Sequence, residues 1–220
     1  PSAARDAAGG GLPPRRDASA AATEGSAVND QRSEAGGQRD EGAPLRDLGR
    51  RLLEASYLEG DFVLRSGRRS RFYLDKYLFS TRPDLLRDIA AGIAAKLPAY
   101  EPFDLLAGPE LGAVAIVTAV SLASGKPFLI VRKDAKGYGT DKVMEGMAEP
   151  GQRVVMVEDV VTSGGAALMA AEKLRAADLE VGALICVVDR EEGGRDQIEA
   201  AGLVLDPLFT ATSLGIKRPG

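Results

Sequence analysis

Leu45, Leu48, Leu52 and Leu53 recur at helical spacing, and Pro44 stands where a first-turn proline is tolerated, so the pattern predicts a helix over 44–57. Two short strands, 61–64 and 72–75, flank the polar, glycine-containing segment 65–70 and read as a hairpin. Its turn region is basic, with Arg65, Arg68, Arg69 and Arg71. Pro83 opens a second helix that Pro98 stops by 97. Strand and helix patterns then alternate: strand 103–107, helix 111–124 closed by Gly125, strand 127–131, strand 153–157, helix 165–177, strand 181–188, helix 191–201 and strand 204–206. The aliphatic runs Val154-Val155-Met156-Val157 and Ala183-Leu184-Ile185-Cys186-Val187-Val188 suit strands buried on both faces. The expected fold is therefore α/β, a doubly wound and mainly parallel sheet, in which ligands bind beyond the carboxyl ends of the strands.

The segment before residue 44 does not share this patterning. Its only large aliphatic residues are Leu12 and Val28, so it has too little apolar surface to offset the entropy of ordering. It is read as a disordered low-complexity tail, 1–43, preceding one domain, 44–220. Arg15 and Arg16 precede no apolar stretch of the secretory kind, and seven acidic residues oppose a transit-peptide reading of its Arg-, Ala- and Ser-rich character.

Composition narrows the chemistry. The 220 residues carry a net charge of -4, so nothing draws the whole chain to nucleic acid or anionic lipid, and an anionic ligand needs a locally built site. The longest uncharged apolar stretch, 111–124, is too short to span a bilayer. With no histidine and the single Cys186, the chain has neither Ser-His nor Cys-His catalysis nor an internal disulfide, and a reducing cytoplasm is the expected compartment.

Two loops carry the strongest chemical signal. After strand 153–157 come Glu158 and Asp159, then Val160, Val161, Thr162, Ser163, Gly164, Gly165 and Ala166 at a helix start. Free amides at a helix N-terminus, approached closely across glycine and supplemented by the Thr162 and Ser163 hydroxyls, bind phosphate, and the carboxylates accept from sugar hydroxyls. The alternative is an ordinary helix capped by Ser163, which accounts for neither the paired acids nor the paired glycines. After strand 127–131, the segment Arg132-Lys133-Asp134-Ala135-Lys136-Gly137-Tyr138-Gly139-Thr140 is a basic loop without apolar period, suited to closing over a polyphosphate leaving group. Solvated charge on an ordinary loop is the competing explanation. Two shorter features follow other strands: Glu110, Leu111 and Gly112 after 103–107, and Asp189-Arg190 after 181–188.

The acidic strand end and its glycine turn resemble the phosphoribosyl-pyrophosphate motif of the type I phosphoribosyltransferases. With the basic loop the likeness narrows to orotate phosphoribosyltransferases, and it covers about 44–214. The resemblance implies a small N-terminal hood made by the hairpin and a 5-phosphate cradled by the glycine turn. It also implies that Glu158 and Asp159 lie along the ribose hydroxyls, with Asp159 and Lys133 catalytic. Arg132, Lys136 and Tyr138 are then pyrophosphate ligands beside the backbone of Glu110, Leu111 and Gly112, and Arg65, Phe72, Tyr73, Thr162 and Arg190 surround the orotate. Mg²⁺ is expected mainly through the substrate, with no metal ligands of the protein's own. A homodimer is expected to share the 132–143 loop across its interface, without nucleic-acid or membrane partners.

The chain departs from the family pattern at Ala166, where a hydroxyl is common, at Arg65, where lysine is common, and at Gly112, where some members carry lysine. A phosphoribosyltransferase for another base, or a regulator that binds phosphoribosyl pyrophosphate without turnover, are the alternative readings. Because the tail contributes almost no apolar surface, removing residues 1–43 is expected to leave the melting temperature and activity nearly unchanged. A drop of more than a few degrees in a thermal melt would contradict the tail assignment.

Overall fold

The computed structural model describes residues 42–63, 69–134 and 143–216. Helix α1 (Ala43–Ser56) leads directly into the antiparallel pair β1 (Tyr57–Val63) and β2 (Arg69–Leu74), and α2 (Lys76–Ser80) and α3 (Pro83–Lys96) follow. The remaining elements are β3 (Leu105–Pro109), α4 (Gly112–Ser124), β4 (Phe128–Val131), β5 (Met144–Glu145), β6 (Arg153–Val161), α5 (Gly165–Arg175), β7 (Glu180–Asp189), α6 (Gly194–Ala200) and β8 (Val204–Thr210). They form a six-stranded sheet of order β5-β4-β3-β6-β7-β8, parallel except for β5.

Strand alternation supplies both faces of this sheet with core. Val155 and Val157 of β6 and Ile185 of β7 pack with Leu48, Phe79, Ile89 and Ile116 from α1 to α4. Val154, Met156, Leu184 and Cys186 pack on the other side with Ala170 and Leu174 of α5. This two-sided burial is the reason the β6 and β7 segments read as unbroken aliphatic runs. Gly125 closes α4 in the left-handed conformation at φ 73°, as its place after the apolar run implied.

Several boundaries differ from expectation for local reasons. The strand expected to end at 157 continues to Val161, because its residues keep pairing with β7 as far as Val161 opposite Asp189. Likewise β8 runs to Thr210 alongside β7, beyond the expected 206. The first hairpin strand starts at Tyr57, immediately after α1, and an irregularity between Glu59 and Phe62 disrupts the alternation that would have marked it. The segment expected as helix 191–201 is helical only over Gly194–Ala200, since Glu191 and Gly193 adopt positive φ. Helix α2, β5 and a 3₁₀ turn over Leu97–Tyr100 were not foreseen; none is long enough to show a period.

The short α2 matters because it joins the hairpin to the main core. The Asp75 carboxylate accepts from the Tyr77 amide at 3.0 Å and fixes where the helix begins, while Phe79, fully buried, anchors it. No helix among the described residues is long and apolar enough to cross a membrane. Truncating Phe79 to alanine is expected to cost roughly 3–5 kcal/mol by chemical denaturation. A loss below about 1 kcal/mol would mean the site collapses around the smaller side chain or that α2 is not docked on the core.

Candidate active site

The carboxyl ends of β4, β3, β6 and β7 lie side by side. Pro109 sits opposite Val131, and Val161 opposite Asp189. The Glu110 amide donates to the Val131 carbonyl and the Arg190 amide to the Val161 carbonyl, each at 2.9 Å, so each loop is tied to its neighbour where it leaves the sheet. The four segments singled out in the sequence thus start from one edge. A cavity of about 430 Å³ opens at the opposite edge, lined by Tyr100, Phe103, Arg153, Glu180 and their neighbours, and touches none of the candidate binding or catalytic residues.

The acids lie inside β6 and not after it, which corrects the expectation that both project from the strand end. Glu158 is 5% and Asp159 1% exposed, and successive positions of a strand face opposite sides. Asp159 follows the parity of Val157, toward α2 and α4, where its Oδ2 forms an ion pair with Lys76 Nζ at 2.7 Å. Its Oδ1 accepts from the Val160 amide at 2.5 Å. Glu158 follows Met156 toward α5, and its Oε1 accepts from the Asp159 amide at 3.0 Å. Burial first, then the adjacent Asp159 charge, push Glu158 well above the ordinary carboxylate range and toward its neutral form. At Lys76 burial lowers the ammonium's pKa, but the Asp159 charge and contact outweigh it and the net direction is upward. Sequence reasoning missed Lys76; the Asp75 cap before a short apolar helix was the available signal.

The glycine turn leaves its helix start uncapped by any side chain. Gly164 is the residue before α5, at φ 79°, and Ser163 is not the cap that the alternative reading required. Ser163, Gly165 and Ala166 are exposed, leaving the first-turn amides accessible. Thr162 is half-buried and its carbonyl packs against α6: a Cβ on Gly194 would lie 2.4 Å from it, which explains the glycine there. Gly164 is equally constrained, with Ile198 at 3.1 Å from its Cβ position.

The loop after β3 and the stem of the basic loop are joined. Glu110 Oε1 accepts from the Lys133 amide at 2.6 Å, and Arg132 Nη1 lies 4.0 Å from Glu110 and 3.8 Å from Glu145 of β5. Lys173 of α5, another residue missed in the sequence, donates to the carbonyls of Arg132 at 2.8 Å and Lys133 at 2.5 Å. The stem is thereby held between the loop after β3 and helix α5 while the Lys133 side chain remains exposed. Leu111 is 70% exposed and Gly112 is buried. Lys136 and Tyr138, and Arg65 of the hairpin turn, lie outside the described residues.

On the hairpin the structure separates Phe72 from Tyr73. Phe72 is buried with Ala211 and Ile216 and stacks on Tyr57 at 5.5 Å between centroids, so its ring is packing and not an open face for a ligand. It also carries Arg190, whose guanidinium lies 5.2 Å above the ring and pairs with Glu192 at 2.7 Å. Tyr73, on the opposite face of β2, is partly exposed beside Phe62. Phe72 thus connects the hairpin to the end of β7.

Comparison with known proteins agrees with this geometry. Residues 82–203 match the model of the phosphoribosyl transferase domain. An orotate phosphoribosyltransferase of Archaeoglobus fulgidus is 49% identical over 150 residues, 68% of this chain and 84% of the relative. One from Methanocella arvoryzae is 46% identical over 155 residues, 70% of this chain and 87% of the relative. The structure of Mycobacterium tuberculosis orotate phosphoribosyltransferase in complex with 5-phospho-alpha-D-ribosyl 1-diphosphate superposes with a TM-score of 0.66 at 29% identity, over 78% of this chain and 99% of that one. The similarity extends over most of each relative's length and runs through the strand ends where the four loops begin, and on that basis this chain belongs to the orotate phosphoribosyltransferase family.

Proposed function

We propose that the protein transfers the phosphoribosyl group of phosphoribosyl pyrophosphate to orotate, forming orotidine 5-phosphate and pyrophosphate, a step of pyrimidine nucleotide synthesis. The observation that carries this reading is the convergence on one sheet edge of an uncapped helix turn, a buried acid and the stem of a basic loop. In this reading the catalytic unit spans 44–220. The amides after Gly164, with Thr162 and Ser163, hold the 5-phosphate, and Asp159 accepts from the ribose hydroxyls. Ala166 removes a hydroxyl donor from the turn but leaves its amide.

Mg²⁺ enters as part of the substrate, held by pyrophosphate oxygens and water, in keeping with its preference for phosphate ligands. The bond from the anomeric carbon to pyrophosphate breaks ahead of the bond to the orotate nitrogen, so the protein needs no covalent nucleophile, and the lack of histidine costs nothing. Lys133, Arg132 and Lys136 stabilise the charge developing on pyrophosphate, and the loop excludes water from the cation-like ribose. Arg190, set on Phe72, offers its guanidinium to the orotate carboxylate in place of Glu192. The working form is a cytoplasmic homodimer in which the 132–143 loop of each subunit closes over the site of the other.

Incubation of the purified protein with Mg²⁺, phosphoribosyl pyrophosphate and a panel of bases tests the assignment: turnover of orotate supports it, turnover of another base replaces the substrate, and binding without turnover leaves a regulator. Asp159→Asn is expected to weaken binding of phosphoribosyl pyrophosphate. Gly165→Val does the same by crowding the turn, and the fold tolerates it because a Cβ there meets only Ser163 Oγ at 3.9 Å. Gly164→Val is unsuitable, since φ 79° strains any side chain at that position. Unaltered calorimetric affinity in both chosen variants would move the phosphate and ribose sites elsewhere.

Lys133→Ala should reduce kcat by about 10² to 10³, the usual loss for one electrostatic donor to a transition state. Mixing Lys133→Ala subunits with Asp159→Asn subunits should recover activity, because one composite site receives an intact loop and an intact ribose acid. Unchanged turnover in Lys133→Ala would make the loop an ordinary solvated one. Absence of any gain on mixing would remove the shared site.

A further inference from the structure

Asp159 is the most buried charged group at the proposed ribose site, and among the described residues the cation paired with it is Lys76. That lysine does not come from any of the four loops that form the sheet edge. It is the first residue of α2, delivered from the hairpin side by a helix whose start is fixed by Asp75 and whose end is buried through Phe79 and Ser80. The space it enters is the one left by Gly112. A Cβ at Gly112 would lie 1.6 Å from Asp159 Oδ2 and 2.7 Å from Lys76 Nζ, so no larger residue fits while this ion pair stands. Glycine at this position is therefore what lets the Lys76 ammonium reach Asp159. Lys76 is not sealed in: its side chain is 35% exposed, so it can stay beside Asp159 while a ligand approaches.

We propose that Lys76 is a positioning residue for substrate binding: from α2 it holds the Asp159 carboxylate in place to receive the ribose hydroxyls. The physical need is specific. One carboxylate oxygen already accepts from the Val160 amide, and the other, Oδ2, faces the ammonium. Without Lys76, Oδ2 is left buried without a countercharge, a state that a carboxylate escapes by rotating or by taking up a proton, and either change removes an acceptor for the sugar. Glu158 does not substitute, because its Oε1 is engaged by the Asp159 amide at 3.0 Å and no ion pair joins it to Lys76 among the described residues. The same contact links the hairpin side of the molecule to the ribose half of the site.

This inference rests on the reading of Asp159 as the ribose acid, and the experiment separates the two. Steady-state kinetics are measured for Lys76→Gln, Lys76→Arg, Asp159→Asn and the Lys76→Gln/Asp159→Asn pair, using Mg²⁺ with phosphoribosyl pyrophosphate and orotate, alongside thermal melts. Lys76→Gln is expected to raise KM for phosphoribosyl pyrophosphate by about 10- to 100-fold, the range for losing a charged partner, with KM for orotate changed less than about twofold. Lys76→Arg should restore most of the loss, and the double variant should be no worse than Asp159→Asn alone. Gly112→Ala, whose methyl group would lie 1.6 Å from Oδ2 and 2.7 Å from Lys76 Nζ, should displace the pair and give the same selective rise. The proposal is overturned if Lys76→Gln binds phosphoribosyl pyrophosphate normally, if both KM values rise together with a lowered melting temperature that arginine does not correct, or if the two substitutions are additive. An unaltered KM in Asp159→Asn alone would instead sink the ribose-acid reading itself.

Discussion

A carboxylate enclosed at the end of a buried parallel strand is costly unless a countercharge and hydrogen bonds meet it, and the arrangement around Asp159 is organised by that requirement. The acid is 1% exposed within β6, and the partner that makes this tolerable arrives from α2 as Lys76. Accommodating both groups leaves no room for a side chain at Gly112, which shapes the loop after β3. Docking α2 firmly enough to hold an ammonium there requires its cap at Asp75 and its buried Phe79. One electrostatic constraint therefore accounts for a glycine, a helix of five residues and the path of the chain between hairpin and core.

The neighbouring acid resolves the same problem differently. Glu158 folds back on the Asp159 amide, where burial and the charge of Asp159 push it well above the ordinary carboxylate range. Of the two adjacent carboxylates, Asp159 is the one that meets an ammonium, at the face where α2, α4 and the loop after β3 meet. Burial also raises the thiol of Cys186, opposite Glu158 on β7, with Asp189 adding to the effect, so this layer is a neutral interior and not a reactive one.

Around this centre, the loops are fixed by bonds between them more than by their own conformations. Glu110 and Lys173 hold the backbone at Lys133 from two sides, so any motion of the basic loop has a stationary base. Arg190 is set on the Phe72 ring and paired with Glu192, which fixes the end of β7 against the hairpin. Groups held in this way approach a ligand with little further ordering to do, the condition under which oriented charges are most effective.

The main alternation of strands and helices, the mainly parallel sheet and the four loops leaving one sheet edge were legible in the chain, because buried strands need aliphatic runs and turns into helices favour glycine and hydroxyl residues in a fixed local order. Val154 to Val157, Gly164-Gly165 and Arg132-Lys133 show this without reference to anything distant. What the chain alone did not disclose was which residues meet. Lys76, Lys173 and Gly194 are ordinary in their local context and acquire their roles from groups 83, 40 and 32 positions away in Asp159, Lys133 and Thr162, respectively. The opposite orientations of Glu158 and Asp159, and the burial of Phe72, were likewise decided by tertiary structure. A sequence pattern records the period of an element, whereas the partner of a buried charge depends on how separate elements pack.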